Sequence, residues 1–154
     1  ADQTQMLTVW LAITDATIQN GCLQVIPGKR DAMLPHCTLK QTGITDTHLP
    51  KDGAVPPPVK AGGAVIFDPL TPHASLPNVS DDYRWSFDLR YHVTGQASGR
   101  EEFPSVVARS RRDPGQELRD WRVWRSMWEE ARAAVASQPH MPQHRWPSDG
   151  PYCA

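Results

Sequence analysis

His73, Ser75 and Arg84 carry chemistry at short spacing. Pro69 and Pro72 constrain the backbone ahead of His73, Ser75 lies two residues beyond it, and Arg84 opens the next alternating run. An imidazole suits a transition metal. A guanidinium forks onto a carboxylate with two parallel hydrogen bonds. If the two flanking segments pair antiparallel, the turn between them brings the imidazole, the hydroxyl and the guanidinium to one side. Each residue also has a plainer reading: His73 as an ordinary, partly buried histidine, Ser75 as a turn residue, and Arg84 as a surface ion pair with Asp81 or Asp82.

The elements that would position these residues are short. Met6–Ile13 (MLTVWLAI) is rich in β-branched and aromatic residues and reads as a buried strand. Asn20-Gly21 signals a reversal, and Cys22–Ile26 is a second short strand stopped by Pro27-Gly28. Residues Lys29–Lys60, with Pro35, Pro50 and Pro56-Pro57-Pro58, form a long irregular excursion of the kind that is either a functional lid or a disordered segment. Ala64–Phe67 is a buried strand that Pro69 prevents from continuing. His73–Asp82 reads as a polar turn. Arg84–Val93 alternates: Trp85, Phe87, Leu89 and Tyr91 form a face expected to pack on a core, and Arg84, Ser86, Asp88, Arg90 and His92 form a face expected to border a site. Glu117–Ser137 is the one convincing helix. Its stripe of Trp121, Trp124, Trp128, Ala131 and Val135 is expected to be buried against the sheet or against a segment absent from this chain, and in the second case to look exposed here. Gln138–Ala154 reads as an extended tail. Strands joined by proline-rich loops, followed by one late helix, predict a mainly β, jelly-roll-type core rather than a doubly wound sheet.

Composition narrows the function classes. A net charge of −1 weighs against a nucleic-acid binder relying on an overall positive field. No apolar run reaches the roughly 18 residues of a membrane span, and no signal-peptide pattern opens the chain. Three cysteines, Cys22, Cys37 and Cys153, lack metal-type spacing, so neither a disulfide framework nor a zinc knuckle is expected. A reducing, cytoplasmic setting follows as the default. Fifteen prolines in 154 residues are incompatible with an all-helical fold.

Several motifs taken in order resemble the phytanoyl-CoA dioxygenase family of Fe(II)- and 2-oxoglutarate-dependent oxygenases. They are Thr8–Ala12, Asn20-Gly21-Cys22-Leu23, Val25-Ile26-Pro27-Gly28, Ala61–Phe67, His73-Ala74-Ser75, Asn78, Ser80 and Arg84, then Phe103-Pro104 and Ala108-Arg109-Ser110. The resemblance runs from about Leu7 to Trp128. It implies a double-stranded β-helix (jelly-roll, cupin-like) core, Fe(II), 2-oxoglutarate and O2 as cofactors, and oxidation of a small organic substrate with decarboxylation of 2-oxoglutarate to succinate. By the same resemblance, His73 is an iron ligand. Ser75 and Arg84 hold the distal carboxylate of 2-oxoglutarate, Trp10 lines that pocket, and Ser86 is a further candidate for the carboxylate.

One departure bears on the whole reading. The family's other two ligands form a His-x-Asp pair just ahead of the strand that corresponds to Trp10, and this chain contains no His-x-Asp. Asp15 and Asp68 do not substitute, since they flank turns. The chain is therefore expected to be the C-terminal part of such an enzyme. Residues 1–116 would form the jelly-roll portion, incomplete at its N-terminus, with the lid at 29–60; the helix at 117–137 and the tail at 138–154 would follow. The competing function is a non-catalytic jelly-roll binding or interaction domain, which predicts no co-substrate affinity and no role for Arg84.

Overall fold

The β-branched and aromatic run at the start of the chain forms the central strand of the fold. The structure is a computed structural model, and it describes residues 5–37, 43–96, 98 and 103–138. Strand β1 (Met6–Ala12) lies between β5 (Ala64–Phe67) and β7 (Ser86–His92) in a three-stranded sheet. The β1–β5 pair is antiparallel, with Thr8 opposite Phe67 and Trp10 opposite Val65. A second, two-stranded sheet pairs β2 (Leu23–Val25) with β6 (His73–Ser75), antiparallel, with Leu23 opposite Ser75 and Val25 opposite His73. β3 (His36–Cys37) pairs antiparallel with β4 (Gly43–Ile44) within the stretch expected to be irregular. The rest of that stretch is tied down by bridges from Val55 to Val25 and from Val59 to Ala16.

Alternation along β1 sends Thr8, Trp10 and Ala12 inward. They meet Ala16, Cys22, Leu23 and Phe67 in a small core, with Val59, Val65 and Leu76 packed at its edge. Trp10 is 3% exposed, and burying an indole of that size is worth about 4–6 kcal/mol by area.

The turn from β1 to β2 is built from side chains. Thr17 N–H donates to Asn20 Oδ1 at 2.7 Å, and Asn20 Nδ2 donates to the Asp15 carbonyl at 2.9 Å. Gly21 has φ +82°, and a Cβ placed there would lie 2.7 Å from the Leu76 carbonyl oxygen. The glycine thus admits the segment that follows β6 into backbone contact. Leu76 N–H donates to the Cys22 carbonyl at 2.9 Å and Val79 N–H to the Gln19 carbonyl at 2.8 Å.

The chain falls into two compact units, with the first running to Tyr91 and the second beginning at His92. In the second unit, a short 3-10 turn at Pro114–Gln116 precedes α1 (Trp121–Ala136). The helix starts four residues later than the sequence suggests. Asp120 caps it by accepting from Arg122 N–H at 2.9 Å. Glu117 stays extended because its carboxylate is engaged elsewhere: it accepts from Ser110 N–H at 3.0 Å, Arg109 Nη1 at 3.0 Å and Arg119 Nη2 at 2.6 Å. The Ser110 backbone bond, with the two guanidiniums, holds the Glu117 carboxyl below the ordinary carboxylate range.

Several expectations need correction. His73–Ser75, the first three residues of the expected polar turn, are a strand, because β2 supplies their ladder partners. The β7 face of Trp85, Phe87 and Tyr91 is exposed, at 66%, 58% and 46%, instead of packing on a core. The helix stripe keeps its predicted spacing, but Trp121 and Trp124 are 59% and 48% exposed and α1 has no buried residue. Periodicity shows which face is apolar; it does not show what covers that face. Among the described cysteines, Cys22 is a buried free thiol and Cys37 is disulfide-bonded. A single bridge needs only two cysteines brought together by the fold, and sequence spacing does not reveal that. The expected tail lies outside the described residues beyond Gln138. No helix among the described residues is long and apolar enough to cross a membrane.

Candidate functional site

Arg84 is where the two sheets come together. Ile13 N–H donates to the Trp85 carbonyl at 2.9 Å, and Trp85 N–H donates to Thr14 Oγ1 at 3.0 Å. These bonds pin the start of β7 beside the end of β1. The loop that leads there from β6 is fastened by Asn78, whose Nδ2 donates to the Asp82 carbonyl at 2.7 Å and whose Oδ1 accepts from Ser80 N–H at 2.9 Å. The guanidinium is thereby delivered over the core. Its centre lies 5.0 Å from the centroid of the Trp10 ring, within cation–π range. Nη2 donates to Ser75 Oγ at 3.1 Å and Nη1 to Ser86 Oγ at 3.0 Å.

This arrangement separates the two readings of Arg84. No ion pair joins it to Asp81 or Asp82. Its Nε is buried and has no hydrogen-bond partner. Two of the five guanidinium N–H groups are taken by serines and the Nε–H is covered by the protein, which leaves one N–H on each Nη open to an acceptor. A carboxylate is the group whose two oxygens match that remaining pair of charged donors. Arg84 also acts downward into the core: burial pushes the Cys22 thiol pKa up, against the opposing pull of the guanidinium.

His73 sits on β6 two residues from Ser75, so alternation puts both on one face. Its Nδ1 lies 2.9 Å from the Thr71 carbonyl oxygen. A carbonyl only accepts, so Nδ1 is the donor, which in the neutral ring leaves Nε2 as the nitrogen that can ligate a metal. Phe67 packs against the ring, with centroids 4.5 Å apart. Nothing in the sequence marks the parts that Thr71, Phe67 and Cys22 play around these residues. The Thr71 contact is made by backbone, and Phe67 reads only as the last residue of a strand.

Of the residues proposed from the sequence, the structure therefore joins Arg84, Ser75, Ser86 and Trp10 directly, with His73 on the same strand face as Ser75. Among the described residues, no group of three His, Cys, Asp or Glu side chains gathers in a way that could hold a metal ion.

The two sheets and their strand order place the chain among the jelly-roll, cupin-like proteins. Its fold matches that of a non-heme monooxygenase, ThoJ, solved with nickel: TM-score 0.59, 22% identity, covering 86% of this chain and 50% of that one. At that identity the likeness speaks for the fold alone. The phytanoyl-CoA dioxygenase (PhyH) family profile matches residues 1–86, more than half of the chain, and the chain belongs to that family. The match contains every proposed site residue and ends at Ser86, short of Trp128. Relatives include phytanoyl-CoA dioxygenase domain-containing protein 1 of Danio rerio, 36% identical over 89 residues, 52% of this chain and 31% of that protein. A methylphosphonate hydroxylase of Gimesia maris is 30% identical over 115 residues, 68% of this chain and 40% of that protein. The chain thus spans well under half the length of both relatives.

Proposed function

We propose that this chain carries the 2-oxoglutarate-binding end of an Fe(II)- and 2-oxoglutarate-dependent oxygenase acting on a small organic substrate. The observation that carries the reading is Arg84, held by two serines over an indole, with one N–H on each Nη left open to an acceptor. Family membership supports the reaction class. The name of the Gimesia maris relative fits a small, polar substrate.

In this reading Arg84 grips the distal carboxylate of 2-oxoglutarate, Ser75 and Ser86 hold the guanidinium in plane, and Trp10 forms the pocket wall. His73 offers Nε2 to the iron, oriented by Thr71 and shielded on one side by Phe67. The residues present suit the carboxylate fully and the metal in part, since a 2-His-1-carboxylate site takes two further ligands. When bound, iron with 2-oxoglutarate and O2 supplies the oxidising power, and the co-substrate leaves as succinate and carbon dioxide. The protein's own contribution is to orient the co-substrate and exclude water from it.

Calorimetric titration with 2-oxoglutarate tests the proposal. One-to-one binding that excess succinate competes away is expected. No heat of binding with 2-oxoglutarate in the millimolar range would refute the co-substrate site and favour the non-catalytic jelly-roll domain.

A further inference from the structure

The last part of the excursion between β2 and β5 is stitched to the site, and the proposed function gives it no task. Val25 N–H donates to the Val55 carbonyl at 2.9 Å, and Val55 N–H donates to the Val25 carbonyl at 2.8 Å. Further on, Ala16 and Val59 exchange a second pair of backbone bonds, at 2.7 and 2.9 Å. Between the two ties lie Pro56, Pro57 and Pro58, whose rings fix φ and which have no N–H to pair. Segment 55–59 is therefore an extended strap held at both ends, and Val55 has a fixed place along the edge of β2 that β6 leaves free.

The register sets which way Val55 faces. Val25 stands directly opposite His73 on β6 and directly opposite Val55 on the strap. Directly opposed residues of antiparallel pairs project to the same face, with Cβ atoms about 4.5–5.5 Å apart. His73, Val25 and Val55 thus form one row across three neighbouring segments, beside the row of Ser75 and Leu23. That face is the face of the site: Ser75 bonds Arg84, Phe67 packs on His73, and Leu23 joins Trp10 in the core. The core takes up Leu23 and, at its edge, Val59, Val65 and Leu76. Val25 is only half-buried and Val55 is 49% exposed. An apolar wall is left open beside the imidazole.

We infer that Val25 and Val55 are specificity-determining residues, which form the wall against which the alkyl part of the substrate, holding the carbon to be oxidised, lies beside His73. The assignment rests on the proposed function for the place of the reaction. Two branched hydrocarbon side chains offer a substrate nothing to hydrogen-bond. A polar group laid there would lose its water without replacement, whereas a methyl or short alkyl group gains from leaving water. The substrate class that follows is a small molecule with a short alkyl part to present to this wall, whatever polar group it carries at its other end.

The test is an NMR titration that follows the valine methyl groups during addition of ethanol, 1-propanol and 1-butanol, each with 2-oxoglutarate at saturation so that Arg84 is occupied. In wild type the Val25 and Val55 methyl signals are expected to shift along a saturating curve, and affinity is expected to rise roughly two- to fourfold per added methylene. Val55→Asp is expected to abolish that gain with chain length, read on the Val25 methyls, and Val55→Thr to reduce it, with the 2-oxoglutarate affinity of both within about twofold of wild type. Val25 and Val55 signals that do not move with any of the three alcohols would overturn the assignment. So would the same chain-length gain in wild type and Val55→Asp. If Val55→Asp does not fold, Val55→Thr decides: an unchanged gain there refutes the wall. If 2-oxoglutarate itself does not bind, the proposed function fails; the alcohol titrations run without it still report on the two valines alone.

Discussion

Replacing Gly21 by alanine tests whether the site depends on the turn beneath it. Gly21 has φ +82°, a conformation that costs an L-residue roughly 1–2 kcal/mol. The added Cβ would also stand 2.7 Å from the Leu76 carbonyl oxygen and 3.4 Å from Asn78 N, and both are backbone atoms that cannot swing aside. Relief requires the 76–79 segment to move off the turn, which stretches the Leu76–Cys22 and Val79–Gln19 hydrogen bonds, now 2.9 and 2.8 Å. At about 1 kcal/mol each, the total reaches roughly 3–4 kcal/mol, a fall in Tm of about 6–16 °C for a chain of this size. The same segment sets Ser75 against Arg84, so 2-oxoglutarate affinity should fall as well, measured at a temperature where the variant is still folded. Thermal unfolding followed by circular dichroism, paired with calorimetry, reads both effects. A Tm within about 1 °C of wild type would refute the close-approach argument. A large loss of stability with unchanged affinity would show that the turn does not position the site.

Two further outcomes follow from the same geometry. His73 is exposed, so His73→Ala should change stability by no more than about 0.5 kcal/mol. In a protein that supplies the two further iron ligands, Fe(II)-dependent succinate formation should nevertheless fall by more than the roughly 10–100-fold typical of losing an outer-shell partner, and retained turnover there would remove His73 from the site. The Glu117 carboxyl is depressed in the folded state, so its contribution is complete above the ordinary carboxylate value near about 4.3 and is lost as pH falls through its folded value. The tie between residues 109–110 and 117–119 should therefore loosen in acid. Glu117→Gln should remove that acid-sensitive step from the unfolding profile of the second unit, and an unchanged pH profile in the variant would contradict the assignment.

Legibility in the sequence followed how local the cause was. β1 and β5 could be read because each is a β-branched and aromatic run, and Asp68-Pro69 ends the latter. The polar partners Arg84 and Ser86 could be read from strict alternation, and the structure adds that both reach one guanidinium-centred cluster. β6 could not be read: His-Ala-Ser has no apolar periodicity, and it is a strand only because β2, some fifty residues earlier, lies beside it. Glu117 is a good helix former by type, yet a long-range set of donors holds it out of the helix. The Thr71 carbonyl that fixes the His73 tautomer is backbone, and no residue type announces it. The tryptophan stripe of α1 was legible as a stripe, while its exposure depends on what lies against it.

The central claim is that Arg84 exists to hold the distal carboxylate of 2-oxoglutarate, and a ligand-by-residue cycle tests it most directly. Affinities are measured for 2-oxoglutarate and for 2-oxopentanoate, which keeps the oxo-acid head and lacks the distal carboxylate, in wild type, Arg84→Ala and Arg84→Lys. Losing a buried, charge-assisted pair costs roughly 2–5 kcal/mol, and about 1.4 kcal/mol is tenfold. Wild type should therefore prefer 2-oxoglutarate by at least tenfold, Arg84→Ala should erase the preference, and Arg84→Lys should restore part of it, since an ammonium cannot fork. A preference of the same size in wild type and Arg84→Ala would contradict the account.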